Sequence, residues 1–148
     1  MVKVEVRRMK VEGLKTDVIR TFHPTVLFYA HCWMTDLVRR TRAVALRCLK
    51  VADKLPRQPG ARAIAAQLAR SGTSTAANYR AAQRARSKAE FRAKLQIALE
   101  EVDESHFWLG MIAEAGYLSI ASLEELNREA DELTAILVSC LKSSRRDI

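Results

Sequence analysis

Between Thr35 and Lys142 apolar residues return every three or four positions in four successive blocks, the spacing of a buried stripe on an α-helix. In the first block Leu37, Val38, Thr41, Val44, Ala45, Cys48, Leu49, Ala52 and Leu55 share half of a helical wheel, and Arg39, Arg40, Arg42, Arg47, Lys50 and Lys54 share the other half. Thr35 or Asp36 supplies an N-cap, and Pro56 with Pro59 ends this helix near Leu55. After the Pro59-Gly60 turn a second helix is expected over about Ala61 to Ala85. Ile64, Leu68, Gly72, Thr75, Tyr79 and Ala82 form its inner side, and Arg62, Arg70, Arg80 and Arg84 its outer side. Its Ser71 to Ala77 segment is nearly all small, which lets a neighbouring helix approach and, through low helix propensity, predicts a local kink.

Ser87-Lys88-Ala89-Glu90 is a capping box: the Ser87 hydroxyl accepts from the Glu90 N–H while the Glu90 carboxylate reaches back to the cap. A third helix starts there, with Phe91, Leu95, Ala98, Leu99, Val102, Leu109 and Ala113 in one arc, and Gly116 offers a left-handed cap after Ala115. Ser122-Leu123-Glu124-Glu125 is a second capping box, opening a fourth helix to about Lys142 whose Leu126, Ala130, Leu133, Leu137, Cys140 and Leu141 face inward. Connections of a few residues predict an all-α, antiparallel up-down-up-down four-helix bundle over residues 35–142, with a frayed tail at 143–148.

Residues 1–34 break the pattern. Val2, Val4 and Val6 alternate with charged residues as in a weak strand, while Gly13 and His23-Pro24 interrupt any helix. The uncharged run from Thr21 to Thr35 is too short and too polar to span a bilayer, and no signal-peptide cleavage pattern follows it. The segment is read as an extension, and on one reading it is a poorly ordered arm. The length of 148 residues suits one domain, and 49% hydrophobic residues with five Gly and three Pro suit helices. Cys32, Cys48 and Cys140 are odd in number and lack CxxC spacing, so neither a disulfide framework nor a zinc site is indicated and a reducing cytoplasm is expected.

The stretch from Arg70 to Leu109 carries a resemblance. Ser71-Gly72-Thr73-Ser74, Ala77-Asn78-Tyr79-Arg80, Arg84-Ala85-Arg86-Ser87, Phe91, Lys94-Leu95, Glu101, Asp103-Glu104 and Trp108-Leu109 stand in order and without gaps. Together they resemble the signature of the 23S rRNA intervening-sequence proteins, and the likeness extends more weakly from about Asp36 to Leu141. The resemblance implies a four-helix bundle that assembles into a homo-oligomeric ring, usually of five subunits, without known catalytic activity. It also implies the other reading of the extension, as residues upstream of a true start at Met34. A relative, the accessory variability protein of diversity-generating retroelements, works with a reverse transcriptase and its RNA. One position departs: the family often has Glu two residues after the tyrosine of the Asn-Tyr pair, and here Ala81 stands there.

Candidate chemistry is sparse. Glu100, Glu101, Asp103, Glu104 and His106 suggest part of a di-iron bundle site, but a second acid-x-x-His is missing, so no metal is assigned and His106 is expected to pack at least half-buried. Ser71, Ser74 and the cysteines lack a nucleophile's partners, and Ser71-Gly72-Thr73-Ser74 lacks the lysine of a phosphate loop. Neither a catalytic residue nor a cofactor is expected. Charge is more informative. Residues 36–86 carry twelve Lys or Arg against two acids, residues 87–148 seven against twelve, and the whole chain is +8. Rows of cations of this kind neutralise successive phosphates, which points to salt-sensitive, phosphate-directed binding of nucleic acid, RNA above all, through Arg39, Arg42, Arg47, Lys50, Arg62, Arg70, Arg80 and Arg84. The alternative is a protein-interaction adaptor for an acidic partner such as a reverse transcriptase. On the third helix Lys94, Ile97, Glu101, Glu104 and Trp108 lie to one side of the core arc and are expected at a subunit interface, unless Trp108 is core.

Overall fold

The computed structural model describes the backbone from Pro24 to Arg145 and the side chains from Asp36 to Arg145, and residues from Met34 onward form one compact unit. Among the described residues it is all-α, with four helices: α1 (Pro24–Lys54), α2 (Pro59–Ala82), α3 (Lys88–Glu114) and α4 (Ile120–Arg145). The alternating valines at positions 2–6 lie outside the described residues. Each inner stripe contributes to one shared core. Leu37, Val44 and Cys48 of α1 meet Leu68 and Tyr79 of α2, Leu95, Val102, Leu109 and Ile112 of α3, and Leu123, Leu126, Leu133 and Leu137 of α4.

Cross-helix contacts fix the directions. Arg40 and Arg47 of α1 reach Glu129 and Glu125 of α4, so the numbering rises on one helix as it falls on the other. Arg92, near the start of α3, donates to the Ser144 carbonyl at the end of α4 (Nε 3.0 Å). Adjacent helices therefore run antiparallel, as their short connections require.

Helix ends differ from the sequence expectation in instructive ways. α1 begins at Pro24, not at a Thr35 or Asp36 cap. Proline suits a first helical turn because the N–H it lacks would have no partner there. Asp36 instead pairs with Arg39 at 2.7 Å within the helix. α2 starts at Pro59, two residues early, and ends at Ala82, and it runs unbroken through Ser71 to Ala77. The small polar side chains there bond to their own helix, Thr73 to the Ala69 carbonyl at 2.7 Å and Thr75 to the Ser71 carbonyl at 2.9 Å. Packing of Gly72 against α1 holds the segment helical despite its low propensity. At α3, Ser87 caps as expected, accepting from the Glu90 N–H at 3.1 Å, but the Glu90 carboxylate accepts from the Arg86 N–H, one residue short of the cap, at 2.8 Å. Gly116 has φ +71°, and the Gly116 and Tyr117 N–H groups bond back to Ala113 and Ile112 in a Schellman motif.

The fourth helix opens earlier than the Ser122 box implied. Ser119 is the cap: its hydroxyl accepts from the Ser122 N–H at 3.3 Å, and the Ser122 hydroxyl donates to the Ser119 carbonyl at 2.7 Å. At its far end the Arg92 guanidinium satisfies a terminal carbonyl, so the helix extends to Arg145 instead of fraying after Lys142. Leu49, expected on the inner stripe, is 37% exposed at the edge of the α1 core face.

Candidate nucleic-acid interface

The eight cations assigned to a binding surface divide by what holds them. Arg42 and Lys50 on α1, Arg62 and Arg80 on α2, and Arg84 just beyond it are exposed and form no ion pair among the described residues. Arg39 is exposed and paired only with Asp36, its neighbour one turn back. Arg47 lies 3.3 Å from the exposed Glu125 of α4, a surface contact of small energetic consequence. Arg70 is different. Its Nη1 lies 3.1 Å from the Glu101 carboxylate, its Nη2 bonds Glu104, and its Nε donates to Gln67 at 3.2 Å. Those carboxylates belong to α3, so Arg70 staples α2 to α3 and is engaged within the chain.

A residue missed at the sequence level does the same between α1 and α4. The helical wheel groups Arg40 with the outer cations, but its side chain is only 19% exposed and binds Glu129 through two parallel N–H···O contacts of 2.7 and 2.9 Å, with Glu132 at 2.9 Å. A planar guanidinium fork suits this bidentate geometry, and hydrogen bonding to Glu129 raises its already high pKa. The acids of α3 and α4 thus occupy Arg40, Arg47 and Arg70, which sit beside those helices. Arg42, Lys50, Arg62 and Arg80 point elsewhere. Arg62 lines an open depression with Ala52 and Leu55, which places it on the α1 side of α2. Arg80, eighteen residues or five turns on, returns to that side about 27 Å along the axis.

The α3 stripe lies partly against its own core. Trp108 is half-buried, packed against the core on one side, and its indole N–H donates to Glu104 at 3.0 Å. The Glu104 carboxylate is held below its ordinary pKa by the hydrogen bond from Arg70, then by that from Trp108. Lys94 and Glu101 are half-buried and Ile97 is 36% exposed. Sequence reasoning missed Phe107, 55% exposed and edge-on to Trp108 with ring centroids 4.9 Å apart, and Met111, 36% exposed. Their positions opposite the core arc were the available signal. His106, expected to pack, is exposed: Ser105 takes the inward position instead, its hydroxyl 2.8 Å from that of Ser71.

Among the described residues there is no group of three or more metal-ligating side chains. Nor does any described helix have the length and apolarity to cross a membrane.

With this geometry in place, comparison with known proteins is decisive at the family level. The profile described as 23S rRNA-intervening sequence protein matches residues 35–139. The chain belongs to this family. A solved structure from Bacteroides thetaiotaomicron, described as a protein with unknown function from the S23 ribosomal protein family, is 30% identical. The match covers 74% of this chain and 97% of that one with a TM-score of 0.69. Among curated proteins none matches. The family match begins within α1 and ends within α4, so it takes in α2 and α3 whole, Arg40 and the Arg70 staple included.

Proposed function

We propose that this family member is a non-enzymatic nucleic-acid-binding protein that engages the phosphates of structured RNA through the α1 and α2 surface and works as a homo-oligomer, a ring of five subunits. The observation that carries the reading is the division of cations: acids of α3 and α4 hold Arg40, Arg47 and Arg70, leaving Arg42, Lys50, Arg62, Arg80 and Arg84 exposed and unpaired among the described residues. Such rows release condensed counterions on binding and carry little sequence preference. The exposed apolar residues Ile97, Phe107 and Met111 of α3 supply the subunit contact. The free thiols of Cys48 and Cys140 suit a reducing, cytoplasmic setting.

An adaptor for an acidic protein, such as a reverse transcriptase, is the second reading, favoured by Leu46 and Leu49, apolar and 49% and 37% exposed among the same cations. Replacing Arg42, Arg80 and Arg84 together by Gln separates the two. None is engaged within the subunit, so the melting temperature stays within a few degrees. RNA affinity at low salt falls, and the slope of log affinity against log salt flattens by roughly one unit for each phosphate that is no longer neutralised. Equal binding of RNA by parent and variant, with equal slopes, gives the surface to the adaptor reading.

A further inference from the structure

At the α1–α2 turn an open depression of about 380 Å³ is lined by Ala52, Leu55, Pro56, Arg57, Arg62 and Ala65. Its walls are of two kinds. Ala52, Leu55, Pro56 and Ala65 are buried or half-buried and apolar, whereas Arg57 and Arg62 are exposed and form no ion pair among the described residues. The volume falls within the range of small-molecule sites, about 300–1,000 Å³, which combine an apolar lining with a few placed polar groups. Asp53 is the only acid between Asp36 and Arg86 besides Asp36 itself, and it is exposed, not among the lining residues and not paired with Arg57. The first turn of α2, where Arg62 begins, also carries no acid and no side-chain cap. Two arginines that line one depression and form no ion pair among the described residues favour a dianion, and the apolar residues beside them favour a ligand with a flat or hydrophobic group attached to it.

We infer that this depression holds a single nucleotide unit, its phosphate between Arg57 and Arg62 and its base against Ala52, Leu55, Pro56 and Ala65. The inference rests on the nucleic-acid reading above and adds to it a site for one nucleotide apart from the row formed by Arg42, Arg80 and Arg84. The wall has no aromatic ring and no polar side chain beside the arginines, so the site discriminates phosphate from no phosphate and does not read base identity.

The test uses the full chain and three probes, adenosine monophosphate, adenosine and inorganic phosphate, followed through the methyl resonances of Ala52 and Ala65. The monophosphate is expected to shift both methyls and to bind at least tenfold more tightly than adenosine or phosphate alone. The Arg57→Gln/Arg62→Gln variant loses that binding, while the Arg42→Gln/Arg80→Gln/Arg84→Gln variant retains it. Absence of methyl shifts at 20 mM monophosphate, equal binding by phosphate alone, or unchanged binding by the Arg57/Arg62 variant overturns the site. The two readings fail separately. If RNA binding depends on Arg42, Arg80 and Arg84 but the monophosphate leaves the methyls unmoved, the surface stands and the nucleotide site does not. If the monophosphate binds and RNA does not, the reverse holds.

Discussion

Two buried acids of unusual weakness lie in the core, Cys48 on α1 and Tyr79 on α2. Burial pushes the Cys48 thiol up to about 12, with Arg47 opposing weakly, and pushes the Tyr79 hydroxyl up to about 12, with a hydrogen bond to Gln83 opposing. Neither group is an active nucleophile, because the thiolate is disfavoured in an apolar setting. The consequence is a pH dependence of stability with a definite sign. The folded chain keeps both protons, while the unfolded chain releases them above the ordinary values of 9.0 and 10.0. The unfolded state therefore binds fewer protons in that window, so stability from these groups is intact below about pH 9 and is lost as pH rises towards 12. Each group removes up to about 1.4 kcal/mol per pH unit. Urea melts between pH 8 and 11 should show a decline that becomes shallower in a Cys48→Ala/Tyr79→Phe variant, relative to its own value at pH 8. Identical slopes in the two proteins would mean that neither group titrates differently on unfolding.

At the scale of elements, α2 comes close to α1 at Gly72. A Cβ added to Gly72 would stand 2.6 Å from the Cys48 Cβ and 2.9 Å from its sulfur. The first is a side-chain stem fixed to the helix, so the backbones themselves must separate. Overpacking of this kind costs about 1–3 kcal/mol, against which the helix propensity of alanine returns about 1. Gly72→Ala should lower the melting temperature and unfold at lower denaturant concentration; a stabilised variant would show that the α1–α2 spacing is looser than it stands here. The small run from Ser71 to Ala77 was legible in the sequence as a place of close approach, and so were the Ser87 cap, the Gly116 cap and nearly every inner stripe. The helix nevertheless runs unbroken there, because propensity is a local quantity and the contact across Gly72 is not. The starts of α1 and α4 escaped for a related reason: Pro24 reads as a breaker but is tolerated in a first turn, and Ser119 and Ser122 compete for one cap. The staples formed by Arg40 and Arg70 were hidden more deeply. On a helical wheel each is one more outward cation, and only the position of a second helix reveals the carboxylates waiting for it.

For the whole molecule, the staples decide which surfaces remain available. Glu101 and Glu104 are held by Arg70 and by the Trp108 indole, and Trp108 itself packs into its own core, so this part of the stripe is largely spent within one subunit. What remains apolar and uncovered on α3 is Phe107, Met111 and Ile97. Large apolar groups exposed together on one helix mark a contact surface more often than scattered ones do. Removing Trp108 would disturb core and contact at once. Phe107→Ser with Met111→Ser is the cleaner change, because neither residue belongs to the buried core. Sedimentation should then show smaller species than the parent at equal concentration, while the far-UV spectrum keeps its helical amplitude. RNA affinity should fall as well, since the proposed assembly would present several copies of the basic surface to one RNA and linked sites bind far more tightly than single ones. At a saturating RNA concentration the dissociated variant should still bind, with a salt slope reduced in proportion to the number of subunits engaged. If the double variant sediments as the parent does, Phe107 and Met111 are not the contact, and Leu46 and Leu49 on α1 become the surface to change next.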